Sequence, residues 1–254
     1  VEPSIACSTK TLMPTLADVE EAIARQSNKE SLVVLLSHIG GIVNPDIEEI
    51  AELCKKENII LLEDCAHSFG ATLNGRHSGL FGDGGVYSFY ATKAIPAGEG
   101  GLIVTNDDQV GDLVKDYIIY DRFKQQLEIG LNVRPSEVQA LLTYSVAKEV
   151  EEIIANKAAI AKRYADVCDE LSIPYLNQED GKQRGNYYKF ILLNKKDKIE
   201  NELPSLKTTT SKVYDYCLGV STEIINCHAC LPIWYGLETE WVDKVITELR
   251  DSAS

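Results

Sequence analysis

The sequence predicts an α/β protein in which a mixed, mostly parallel sheet with flanking helices is followed by a smaller C-terminal α/β domain. Three observations lead there. Short, continuous apolar runs of strand length alternate with segments of helical periodicity through the first half of the chain. Residues 31–62 read strand, helix, strand with short links, a βαβ unit that implies parallel strands and a right-handed crossover. Past Pro135 the texture changes to long helical patterns with short strands, so the chain is divided into a large domain, 1–135, and a small one, 136–254.

The elements follow in order. Thr15–Gln26 reads as a helix: Thr15 and Asp18 have capping-box spacing, and Leu16, Val19, Ala22 and Ile23 share a face. Ser31–Leu36 is an apolar run expected to form a strand covered on both faces. Asn44-Pro45 is a helix start, with an N-cap and a proline at the first helical position, and its apolar stripe is Ile47, Ile50, Ala51 and Cys54. Asn58 ends that helix, and Ile59–Leu62 is the next buried strand, closed by Glu63-Asp64. Val86–Tyr90 and Leu102–Thr105 are further strands, and Asp107–Tyr120 is helical. Gly130–Pro135 is a turn-rich link, after which Ser136 caps a helical pattern that runs to about Leu171 and is bent or broken near Asn156. Tyr187–Leu193 is a strand, Val213–Tyr216 a candidate strand, and Thr239–Arg250 a terminal helix.

Composition narrows the function. The 254 residues carry a formal charge of -14 with no basic run, which argues against a phosphate-backbone partner and so against nucleic acid. No apolar run approaches the ~18 residues of a membrane span, and no signal-like start is present. An odd number of cysteines, seven, mostly within apolar periodic segments, reads as buried, reduced thiols in a cytoplasmic protein. Cys227 and Cys230 have CxxC spacing but no second ligand pair, so no metal site is expected. The chain starts at Val1, and Val1-Glu-Pro3 reads as the tail of an element already under way, as in the remainder of a longer protein.

The chemistry concentrates in residues 61–105. A strand ends in Glu63-Asp64, a glycine-rich passage follows, and the next strand carries Ser88-Phe-Tyr-Ala-Thr-Lys93 before Gly98-Glu-Gly-Gly101. An acid at a strand's carboxyl end and a lysine five residues past a serine are what pyridoxal phosphate needs. Its protonated ring nitrogen requires a carboxylate, and its aldehyde requires a lysine amine. Ser88 can give a hydroxyl to the phosphate, loop amides can add donors, and Gly98, Gly100 and Gly101 let backbone pass close to a planar ligand. Taken singly, each has a plainer reading: Asp64 as a helix cap or loop acid, Lys93 as an exposed lysine.

The segments Glu63-Asp-Cys-Ala-His-Ser-Phe-Gly-Ala71, Gly79-x-x-Gly82-Asp83, Ser88–Lys93, Gly98–Gly101, Gly130–Ala140 and Cys230-Leu-Pro-Ile233 resemble, in order, the DegT/DnrJ/EryC1/StrS family. These are pyridoxal-phosphate enzymes of fold type I, mostly sugar-nucleotide aminotransferases. The resemblance implies that Asp64 holds the pyridine nitrogen, Ser88 the phosphate and Lys93 the aldehyde carbon. It further implies that His67 touches the ring or its 3′ oxygen, and that Asn132 reaches the phosphate of the neighbouring subunit. A homodimer with shared active sites follows. Read without the family, Asn132 is a turn residue between Gly130 and Pro135. The implied reaction moves an amino group from an amino acid, glutamate foremost, to a nucleotide-linked keto-sugar.

Two departures qualify this. Family members usually have glutamine at the position of His67, and histidine can keep the role with altered tuning. Members also carry an N-terminal segment with a glycine-threonine turn that grips the phosphate and an aromatic that stacks on the ring, for which residues 1–254 offer no counterpart. Two alternatives therefore stand beside the aminotransferase. One is a truncated or non-catalytic relative acting as a binding or regulatory subunit. The other is a cofactor-dependent sugar dehydratase, disfavoured because that branch replaces the lysine that stands here as Lys93.

Overall fold

The computed structural model describes residues 7–8, 10–28, 31–119, 129–193, 203, 213 and 222–253. At its centre lies a four-stranded sheet of β1 (Val33–Ser37), β2 (Ile60–Asp64), β5 (Gly84–Ser88) and β6 (Gly101–Val104), in that spatial order. The pairs β1–β2 and β2–β5 are parallel, and β6 closes the edge antiparallel to β5. Between β1 and β2 runs α2 (Ile47–Lys56), the predicted crossover. The fold class is therefore the mixed, mostly parallel α/β arrangement expected.

Local chemistry explains the boundaries. In α1 (Leu16–Ala24) the Thr15 side chain accepts the Asp18 N–H while Asp18 accepts the Thr15 N–H at 2.8 Å, a complete capping box. Helix α2 starts two residues later than predicted, because Asn44 folds the chain back on itself. Its Oδ1 accepts the Asp46 N–H at 2.8 Å, and Asp46 in turn accepts the Leu16 N–H at the start of α1. Ile47, Ile50 and Cys54 of the predicted stripe are buried, whereas Ala51 is half-buried. Asn58 ends the helix in the left-handed region, at φ 55°.

Helices α1 and α2 cover one face of the sheet, burying Val19, Ile23, Ile47 and Ile50 against Leu36 and Leu61. Each such side chain contributes about 1.5–3 kcal/mol. The opposite face differs from expectation. Val33 and Leu35 are 45% and 67% exposed, Ile60 and Val86 each 51%, and Leu62 39%. These strands are thus covered on one face by the described residues, not on both.

Beyond the sheet, β3 (Thr72–Leu73) and β4 (Arg76–His77) form a hairpin about Asn74 and Gly75, whose φ values of 51° and 78° suit a type I′ turn. Strand β3 also pairs with β7 (Gln183–Arg184), stitching the first half of the chain to the second. Helix α3 (Asp108–Ile119) follows the sheet. The long helical pattern after Ser136 divides into α4 (Glu137–Lys148) and α5 (Val150–Glu170), with Ser136 the cap as predicted. The break falls at Glu149 rather than near Asn156. Asn156 stays helical, and its Oδ1 accepts the Gly236 N–H at 3.0 Å. A second core joins Ile154, Ile160, Tyr164 and Val167 of α5 to β8 (Phe190–Leu193), β9 (His228–Leu231) and α7 (Thr239–Ala253). The short α6 (Thr222–Asn226) precedes β9, and residues 214–216 of the candidate strand lie outside the described residues.

Candidate active site

The site lies at the carboxyl ends of the central strands. Register places Ser37, Asp64 and Val86 side by side, and Ser88 follows Val86 by two residues. Alternation along a strand therefore puts Ser37, Asp64 and Ser88 on one face, the uncovered one, and Glu63 on the other. Asp64 is held by its neighbours: its Oδ2 accepts the Ser37 hydroxyl at 3.1 Å, and its Oδ1 accepts the Ala66 N–H at 3.0 Å. A carboxylate has about four acceptor positions, so further ones remain. Ser88 Oγ accepts the Tyr90 N–H at 3.3 Å.

Lys93 sits in a loop pinned at both ends. Phe89 N–H donates to Gly100 O, Ala91 N–H to Gly98 O, and Ala97 N–H to Phe89 O, while Ile95 and Ala97 pack with Phe89 against Ile153 of α5. The Lys93 Nζ stands 5.4 Å from the centroid of the Tyr188 ring. Burial lowers its ammonium below the usual lysine range, and the nearby Asp64 carboxylate opposes that shift. His67 packs against the same Tyr188 ring in a tilted arrangement, centroids 4.4 Å apart at an interplanar angle of 31°. Burial, and next the Lys93 charge, depress its pKa to about 3, so this imidazole is neutral at physiological pH. Its Nδ1 is buried with no hydrogen-bond partner among the described residues.

His67 and Lys93 are thus brought together on Tyr188, with the Asp64 carboxylate close enough to act on both and Ser88 at the neighbouring strand end. Asn132 stands exposed in the irregular link before α4, and among the described residues no contact joins it to the other four.

Sequence reasoning passed over two sets of residues. The first is the support behind Asp64. Glu63 is fully buried, yet its carboxylate accepts the N–H groups of Gly79, Phe81 and Gly82, each at 2.7 Å, and His38 Nε2 at 2.8 Å. His38 Nδ1 accepts the Asn44 N–H at 2.9 Å, so the ring proton sits on Nε2 and points at Glu63. Burial alone would raise the Glu63 pKa, but the hydrogen bonds from His38, Gly82 and Gly79 outweigh it and hold the carboxyl below its usual range. The glycine-rich passage is thereby bound to β2. A Cβ on Gly85 would lie 2.3 Å from the Cα of Gly79, which explains why the passage is rich in glycine. His38, Glu63 and Cys65 bring possible metal ligands within 4.8 Å of one another. Both Glu63 oxygens and both His38 nitrogens already serve this network, and burial pushes the Cys65 thiol up to about 12. The cluster reads as a structural clamp.

The second set is the segment 186–189, which comes from far along the chain. Asn186 is fully buried, and its Nδ2 donates to the carbonyls of His67 and Phe69, each at 2.9 Å, while its Oδ1 accepts the Tyr188 N–H at 2.8 Å. Asn186 and Lys189 also donate backbone N–H groups to Gly41 O and Gly40 O. In the sequence this stretch reads only as the start of a strand, and nothing local connects it to Lys93.

Comparisons with known proteins bear on the family and the fold. The GDP-perosamine synthase of Vibrio cholerae is 27% identical over 203 residues, covering 75% of this chain and 55% of that protein. The GDP-perosamine synthase of Escherichia coli O157:H7 is 30% identical over 160 residues, 61% of this chain and 42% of that one. The chain thus spans about half the length of the curated relatives it matches. The crystal structure of a DegT DnrJ EryC1 StrS aminotransferase from Brucella abortus superposes with a TM-score of 0.86 at 18% identity, over 97% of this chain and 72% of that chain, which establishes the shared fold. The sequence profile of the DegT/DnrJ/EryC1/StrS aminotransferase family matches residues 4–250, and the chain belongs to that family.

Proposed function

We propose that this chain is the lysine-bearing part of a pyridoxal-phosphate-dependent aminotransferase that moves an amino group from an amino acid, glutamate foremost, to a nucleotide-linked keto-sugar. The observation that carries the proposal is the grouping of His67 and Lys93 on the Tyr188 ring with the Asp64 carboxylate within electrostatic reach of both, a neutral imidazole, a partly desolvated amine and an acid near strand carboxyl ends. The buried Nδ1 of His67 without a partner fits a ligand oxygen such as the cofactor's 3′ oxygen. When bound, the cofactor supplies an electron sink for the substrate's α-carbon.

The chain's own residues divide the remaining work. Asp64, fixed by Ser37 and Ala66, would keep the ring nitrogen protonated. Ser88 would bind the phosphate, joined by Asn132 of a second subunit in a homodimer. Lys93 Nζ, whose charged form burial disfavours, would hold the aldehyde carbon and then carry the proton to and from the α-carbon. Residues 1–135 would be the cofactor-binding part and 136–254 the small domain, the whole working in the cytoplasm. No described helix is long and apolar enough to cross a membrane. The exposed sheet face and the partial span of relatives also support a second reading, a binding subunit that is catalytic only with a further polypeptide.

The test is a spectrum of the purified chain with pyridoxal phosphate, followed by borohydride and peptide mapping, on wild type and Lys93→Ala. We expect a visible band that borohydride fixes to Lys93 and that the variant lacks. A well-folded wild type with no band would refute independent cofactor binding by this chain.

A further inference from the structure

Asp64 and the Lys93 loop are each held by hydrogen bonds of their own, whereas the described residues leave His67 Nδ1 buried without one. The place of this imidazole is therefore set by its backbone and by the Tyr188 ring it packs against. One side chain holds both. Asn186 Nδ2 donates to the carbonyls of His67 and Phe69, each at 2.9 Å, and Asn186 Oδ1 accepts the Tyr188 N–H at 2.8 Å. These partners fix the amide's orientation, because a flip would set oxygen against two carbonyls and NH2 against an N–H.

Asn186 is itself anchored. It is fully buried, and its backbone N–H donates to Gly41 O at 2.8 Å. Gln178 holds the same segment through a second buried amide, its Oε1 accepting the Tyr187 N–H at 3.0 Å and its Nε2 donating to Lys189 O at 2.5 Å. Both donors of the Asn186 amide are spent on residues 67 and 69, so removing it leaves two carbonyls unpaired in a dry site. The loop carrying His67 would then relax toward water, and the imidazole with it. Burial is the largest influence keeping that ring neutral, followed by Lys93, with Lys189 adding and Asp64 opposing, so rehydration favours its protonation.

We infer that Asn186 is a positioning residue of this site: its one buried amide registers the His67 backbone against the Tyr188 ring, and so keeps the imidazole turned to a bound ligand instead of to solvent. The inference rests on the aminotransferase reading for the identity of that ligand, pyridoxal phosphate. Asn186 acts only through His67 and Tyr188, with no contact to the reacting atoms of its own.

The experiment follows the His67 ring by proton NMR between about pH 5 and 8 in the full chain, in Asn186→Ala and in Gln183→Ala. The last variant removes another buried amide bridge between the same halves of the chain, Gln183 Nε2 to Val43 O, without touching residue 67 or 188. We expect wild-type His67 to stay neutral throughout, as a pKa of about 3 requires, and Gln183→Ala to match it. Asn186→Ala should bring a midpoint into that range, toward the ordinary value of about 6.5. In parallel, borohydride fixation of pyridoxal phosphate on Lys93 is titrated with cofactor. Asn186→Ala should need about tenfold more than wild type for half fixation, and Gln183→Ala no more than about twofold. The inference is overturned if His67 of Asn186→Ala titrates as in wild type, or if Gln183→Ala shifts it equally. It is also overturned if Asn186→Ala takes the cofactor as readily as a wild type that does bind it. Absence of fixation in wild type removes the cofactor reading alone, and the titration still decides this inference. Should Asn186→Ala not fold, Asn186→Ser, which keeps one hydroxyl donor for the two carbonyls, carries the same measurements.

Discussion

Replacing Glu63 by glutamine tests whether the strand carrying Asp64 is held by a buried charge. The wild-type carboxylate accepts four donors in two pairs, Phe81 and Gly82 on one oxygen, Gly79 and His38 on the other. Glutamine offers one oxygen and one donating NH2. Either orientation leaves two buried donors facing a donor, and His38 cannot escape by moving its proton without abandoning the Asn44 N–H. Each unsatisfied buried group costs about 1–3 kcal/mol, so Glu63→Gln should lose on the order of 3 kcal/mol. At this chain length that lowers the melting temperature by roughly 10 °C. Urea and thermal denaturation at pH 7 measure it. The folded pKa of Glu63 is depressed, so its stabilisation is present above the unfolded value of about 4.3 and is lost as pH falls through the folded value. The gap between wild type and variant should therefore close in acid. A variant within about 0.5 kcal/mol of wild type at pH 7 would refute the clamp.

Two further changes probe other parts of the argument. Lys157 is 3% exposed, and burial lowers its pKa to about 8 from 10.5. The folded state thus binds the proton more weakly than the unfolded state, and stability should rise between pH 8 and 10.5 by roughly 3 kcal/mol. Lys157→Met should abolish that rise in urea titrations and be the more stable protein at pH 7. A Cβ at Gly41, where φ is 107°, would lie 2.3 Å from Asn186 Oδ1 and 2.7 Å from the Tyr188 N. Gly41→Ala should dislodge segment 186–189, cost about 2–4 kcal/mol and expose His67, seen as a rise in its pKa by proton NMR, whereas an unchanged His67 titration would count against the docking.

What the sequence determined by itself is local chemistry. Capping residues such as Thr15 and Ser136, the apolar stripe of α2 and the short runs of β1 and β2 are each set by nearest-neighbour hydrogen bonding and periodicity, and they were legible. So was the family, because Asp64, His67, Ser88 and Lys93 stand within a single stretch of the chain. Where helix α2 starts and where α4 gives way to α5 were not, since Asn44 and Asn156 take partners beyond their own helices, His38 and Pro14 for the first and Gly236 for the second. Coverage of the sheet was misjudged for a similar reason: a continuous apolar run records two apolar faces, and only packing decides whether each is buried. Tertiary structure alone decided that Glu63, adjacent to the predicted acid, turns inward as a clamp, and that Tyr188 and Lys189 reach Lys93 from far along the chain. Burial and charge act through space, and no spacing in the sequence encodes which distant side chain will share a ring with Lys93.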